Sequence, residues 1–115
     1  MTRQLDEQVM DRALALARVG GDLELLKEIA ALFLDEYPLA LDDMRKALAA
    51  GDAKLLDRAA HGLKGSVANF CARSAEDAAF QLEQMGRTQK LDRAPQTLAA
   101  LEQALASLQA ELASL

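Results

Sequence analysis

The sequence predicts an all-α fold, an antiparallel four-helix bundle with additional short helices at its N-terminal end. Three observations carry this. β-Branched residues are scattered (Thr2, Val9, Val19, Ile29, Val67, Thr88 and Thr97) and never form the run a strand uses. Ala, Leu, Glu, Gln, Lys and Arg, the good helix formers, dominate instead. Apolar residues recur at helical spacing along the chain, interrupted by Gly, Asp and Pro where helices would start and stop. With 115 residues, 51% hydrophobic and 27% charged, the whole chain, 1–115, reads as one globular domain and not as a disordered segment.

The first helix is expected over Asp6 to Arg18, with Leu5, Val9, Ala13, Leu16 and Ala17 on its apolar side and Gly20-Gly21 as its stop. Asp22 suits the N-cap of a second helix, whose stripe is Leu25, Leu26, Ile29, Leu32, Phe33 and Tyr37. Pro38 starts or kinks into a third, with Leu41, Met44, Ala47 and Leu48. Gly51-Asp52 is a stop followed by a cap, and a fourth helix runs from about Ala53 to Cys71. Ser74 and Asp77 resemble a capping box for a fifth helix that ends at Gly86. Pro95 fits the first turn of the last helix. There Leu98, Leu101, Leu105, Leu108, Leu112 and Leu115 are spaced 3, 4, 3, 4, 3, a heptad seam that serves either an intramolecular bundle or a dimeric coiled coil. The bundle is the expected use, because the other amphipathic helices need partners too.

Several function classes fall away on composition. Thirteen Lys+Arg against eighteen Asp+Glu give a net charge of −5, and aromatics are 3%, so a nucleic-acid binder is not expected. No stretch reaches the 18 apolar residues of a membrane span, and Met1 to Met10 holds no signal-peptide run, so no membrane partner and a cytoplasmic location are expected. The single Cys71 forms no intramolecular disulfide and no multi-cysteine metal site, so no metal is expected. The six glycines form no phosphate-cradling GxxxxGK[ST] loop, so ATP-dependent kinase activity is not expected.

The fourth helix carries the chemistry. Its core stripe is Leu56, Ala59, Ala60, Leu63, Val67 and Phe70, all within about 60° of Leu63, while His61 falls about 160° away on the solvent side. Gly62 and Gly65 lie beside this histidine inside the helix, where each costs up to about 1 kcal/mol relative to Ala. Two interior glycines suggest a packing or access reason, and Gly65, at i+4, removes the side chain that would shade the ring and lets another protein approach it. Lys64 at i+3 and Arg58 at i−3 place cations beside it. Cations disfavour imidazolium and stabilise a phosphoryl group, so an exposed neutral histidine in this setting reads as a phosphoryl acceptor.

The string Ala60-His61-Gly62-Leu63-Lys64-Gly65-Ser66 resembles the H-x-L-K-G-S signature of histidine-containing phosphotransfer (HPt) domains, the helical-bundle intermediates of multistep phosphorelays. Gly21-Asp22, Phe33, Pro38, Gly51-Asp52 and Leu82-Glu83 extend the likeness over most of the chain. The resemblance implies that His61 is phosphorylated through Nε2, that Lys64 neutralises the phosphoryl group and that Gly65 gives a partner access. Ser66 would support the helix, and Gly62 and Ala68 would belong to the docking face. Glu83 would accept from Nδ1–H and fix the ring tautomer, or else is a solvated carboxylate; Arg87 would assist near the site, or else complements the helix dipole. Cys71 stands where the family commonly has Gly. The implied partners are receiver domains of hybrid histidine kinases and of response regulators. The receiver supplies Mg²⁺, so the chain needs no cofactor of its own, and it is expected to be a monomer. A related arrangement in chemotaxis kinases takes its phosphoryl group from an ATP-bound kinase domain. The competing class is a structural bundle that assembles through the C-terminal leucine seam.

Overall fold

A computed structural model describes residues 9–115, which form five helices and, among the described residues, no strand. They are α1 (Arg12–Arg18), α2 (Leu23–Ala50), α3 (Ala53–Ala68), α4 (Arg73–Thr88) and α5 (Ala94–Ala113). Helices α2 to α5 are joined by short connections, pack α2 on α3, α3 on α4, α4 on α5 and α5 back on α2, and so make the four-helix bundle. The short α1 lies against α2. It is tied across the end of the bundle by the Asp11 amide to the Cys71 carbonyl (3.2 Å) and by Arg18 to the Ala68 carbonyl (2.7 Å). No helix among the described residues is long and apolar enough to cross a membrane.

Asp22 and Asp52 act as caps as the sequence predicts, and Asp11, expected inside a helix, is a cap as well. Asp11, Asp22 and Asp52 accept the amides of Leu14, Leu25 and Leu55 at α1, α2 and α3, satisfying donors that no carbonyl of the helix can reach. Gly51 closes α2 with φ of +66°, a left-handed conformation that costs a side-chain-bearing residue about 1 kcal/mol. Pro95 lies in the first turn of α5.

Several expectations are corrected. Pro38 does not divide two helices: α2 runs through it for 28 residues. Pro38 is exposed and removes one backbone hydrogen bond, at a cost of about 3 kcal/mol. Leu26, Ala30 and Phe33 before it and Leu41, Met44 and Ala47 after it stay in one helical register and are all buried. Burying Leu26, Phe33, Leu41 and Met44 contributes roughly 1.5–3 kcal/mol each, so packing outweighs the proline. Within the predicted α2 stripe, Leu25 and Leu32 face solvent instead, being 40% and 62% exposed. Helix α3 ends at Ala68, not Cys71, and the chain turns through Cys71 with φ of +53°. The Ser74–Asp77 capping box does not form: the N-cap of α4 is Ala72, fully buried and without a side-chain cap.

Gly86 is a further correction. Helix α4 passes it and ends at Thr88, with Gln89 in the left-handed region. Gly86 is where α4 crosses α3. A Cβ there would sit 2.6 Å from both the Ala53 carbonyl oxygen and the Asp57 amide nitrogen. The first helix also starts late. Residues 6–8 of its expected span lie outside the described residues, 9–11 are not helical, and Ala15 is the buried side chain of α1, while Ala13 and Ala17 are exposed.

The leucine seam faces inward. Leu98, Leu101, Leu105, Leu108 and Leu112 are buried against α2 and α4, so the surface a seam-mediated assembly would use is occupied within the chain itself. Polar links at the seam's edge join α2 to α5: Tyr37 donates to Gln109, and Arg45 Nε to Glu102 at 3.0 Å.

Candidate functional site

Helix α3 turns its apolar stripe, Leu56, Ala60, Leu63 and Val67, into the core, and that fixes His61 on the outside with 68% of its side chain exposed. The ring is not free. Glu83, one of the residues α4 turns toward the interior, brings Oε2 to 2.5 Å from His61 Nδ1. Only 2% of the Glu83 side chain is exposed, so the solvated-carboxylate alternative does not hold. Its other oxygen, Oε1, accepts from Lys64 Nζ at 2.7 Å, and Arg87 donates to Oε2 at 3.0 Å. Arg87 also reaches Asp57 Oδ1 of α3 at 3.5 Å. The close crossing at Gly86 is the reason these groups meet, because it draws Glu83 and Arg87, on either side of it, against α3.

The Lys64 ammonium, hydrogen-bonded to Glu83, holds this carboxyl below the ordinary glutamate range; burial pushes the other way, and the His61 hydrogen bond adds to the lowering. An ionised carboxylate only accepts, so the proton between the pair belongs to His61 Nδ1. In neutral imidazole the lone pair then sits on Nε2, which has no partner among the described residues. The arrangement therefore presents an exposed nucleophilic nitrogen whose tautomer is set by a buried anion.

The other expected site residues are placed as follows. Gly62 and Gly65 are exposed, and a Cβ on either would meet nothing within 4 Å, so neither is required by packing. Ser66 Oγ donates to the Gly62 carbonyl at 3.2 Å, a bond within the helix. Ala68 is half-buried, and its carbonyl takes the Arg18 hydrogen bond. Arg58 does not join the cluster. It lines a hollow between α2 and α3 with Glu36, Asp43 and Gly62. The expected surround of cations is thus corrected: a carboxylate contacts the ring, and Lys64 is ion-paired to it while lying 5.3 Å over the face of Phe80. Asp57 is a neighbour of His61 by helical spacing, but sequence reasoning gave it no role at the site. Its signal was its spacing, one helical turn before His61, which is common to many surface carboxylates. Among the described residues no group of three or more His, Cys, Asp or Glu side chains gathers as a metal site would.

A model of the Hpt domain family matches residues 28–111. Among solved structures the chain is similar to the crystal structure of histidine-containing phosphotransfer protein B (HptB) from Pseudomonas aeruginosa PAO1. The TM-score is 0.85 at 24% sequence identity, over 92% of each chain, a likeness of fold. No curated protein matches the chain.

Proposed function

The chain belongs to the Hpt domain family, and from that premise we propose that His61 takes a phosphoryl group from the aspartate of one receiver domain and passes it to the aspartate of another. The observation that carries this reading is the hydrogen bond of exposed His61 through Nδ1 to buried, ionised Glu83.

The step balances on these groups. The Nε2 lone pair attacks phosphorus, the bond from phosphorus to the aspartyl oxygen breaks, and the carboxylate leaves with its electron pair. The ring becomes a phosphorylated imidazolium that keeps its Nδ1 proton, and the positive charge it gains lies 2.5 Å from Glu83 Oε2. In onward transfer an oxygen of the second aspartate attacks phosphorus, the bond from phosphorus to Nε2 breaks, and the electron pair returns to Nε2. Lys64 and Arg87 keep Glu83 ionised and in place, so both act as positioning residues; Lys64, with 28% of its side chain exposed, also lends positive charge at the edge of the phosphoryl site. Gly62, Gly65 and Ala68 form the surface that a receiver approaches. Mg²⁺ comes with the receiver. The reading includes a monomeric protein working in the cytoplasm.

The test is phosphotransfer from a panel of phosphorylated receiver domains to wild type and His61→Gln. An acid-labile, base-stable label on wild type that is missing from His61→Gln is expected. A folded wild-type protein that no receiver labels would refute the reading.

A further inference from the structure

Two exposed leucines on α2 have nothing among the described residues to cover them. Leu32 is 62% and Leu39 67% exposed, more than any other large apolar side chain among the described residues. They are seven residues apart, about two helical turns, and form one row with the exposed Leu25 at its N-terminal end. The row borders the His61 face. Glu36 and Asp43, neighbours of these leucines at helical spacing, line the hollow between α2 and α3 opposite Arg58, Gly62 and Ser66. From that hollow the path to His61 crosses the open backbone of Gly62 and Gly65.

Charge says what an occupant carries. Glu28, Asp35 and Glu36 are the acidic neighbours of Leu32 at i±3 and i±4; Asp35, Glu36, Asp42 and Asp43 are those of Leu39. Asp42 is matched by Arg45 at 3.6 Å, but Glu28, Asp35, Glu36 and Asp43 form no ion pair among the described residues. The cations nearby are Arg58, across the hollow, and Lys46, one turn past Asp43. An apolar row rimmed by four carboxylates that are unmatched among the described residues complements an apolar strip flanked by Lys or Arg. It opposes a second copy of this chain, whose row would bring the same carboxylates face to face, and it opposes an anionic membrane surface.

We infer that the receiver partner docks with an apolar strip on Leu32 and Leu39 and with basic side chains against Glu36 and Asp43 on one side and Glu28 and Asp35 on the other. This rests on the phosphotransfer reading, because the row gains its meaning from opening onto His61. The test titrates unphosphorylated receiver domains into the full chain at low and high ionic strength. Glu36→Lys with Asp43→Lys is expected to weaken binding about tenfold at low salt and to flatten its salt dependence. Leu32→Ser with Leu39→Ser weakens it at all salt concentrations. Asp92→Lys, exposed on the α4–α5 connection, leaves it unchanged. Binding that ignores the charge reversal overturns the inference, as does a wild-type dimer that the serine pair dissolves. The two failures read differently. A receiver that labels His61 but is indifferent to Glu36 and Asp43 fails the docking surface alone. One that docks through them and never labels His61 fails the phosphotransfer reading alone. A broad panel in which nothing binds fails both.

Discussion

Glu83 is a buried carboxylate that serves three donors at once, and its ionisation ties the stability of the fold to the state of His61. The Lys64 hydrogen bond lowers its pKa on folding more than burial raises it. A carboxyl lowered on folding stabilises the native state above its unfolded value of about 4.3, and this contribution is lost as the pH falls through the lower folded value. Glu83→Gln is neutral at every pH. It is therefore expected to be less stable than wild type near pH 7 by about 1–3 kcal/mol, since Lys64 and Arg87 lose their anion. The gap narrows as pH falls below about 4.3. Chemical denaturation of both proteins across this range checks it, and a gap that does not change with pH would refute the assignment. The variant is also expected to slow phosphotransfer, because an amide no longer obliges Nδ1 to hold the proton.

The three glycines of the site helices separate packing from access. Gly86 is demanded by α3 and α4, for its Cβ would strike backbone atoms of Ala53 and Asp57, which cannot rotate away. Gly62 and Gly65 have open space and cost helix stability. Gly86→Ala is expected to destabilise by about 1–3 kcal/mol, and Gly65→Ala to stabilise by about 0.5–1 kcal/mol while slowing transfer from receivers. Thermal melts beside labelling rates measure this; glycines whose alanine variants shift stability in the same direction would contradict it. Sequence reasoning identified Gly65 because a glycine that weakens a helix invites a functional account. It misread Gly86 as a helix stop, because closeness to another helix leaves no local mark. The Asp22 and Asp52 caps were legible because capping is local. Pro38 and Cys71 were not, because packing elsewhere outweighs their conformational costs. Cys71 takes φ of +53° at the position where the resemblance expects glycine, so the departure is one of residue and not of backbone.

At the scale of the molecule, the seam on α5 poses a question its spacing leaves open. Leucines repeating 3, 4, 3, 4 serve a coiled-coil partner or bundle neighbours equally well. The other helices decide it: α2 and α4 each present an apolar face to α5, and together they cover the seam so that Leu101, Leu105 and Leu108 have no exposed surface. Inside and outside are thereby divided between two leucine rows. The α5 row holds the bundle together, and the α2 row of Leu32 and Leu39 stays outside. Leu105→Ala puts a cavity at the centre of the first row and is expected to cost about 2–5 kcal/mol of stability with no change in molecular mass. The loss falls on the same cooperative unfolding that any core residue shares. Denaturation paired with sedimentation tests the division. If Leu105→Ala instead turned a dimer into a folded monomer of unaltered stability, the seam would be an interface and the bundle core would have to lie elsewhere.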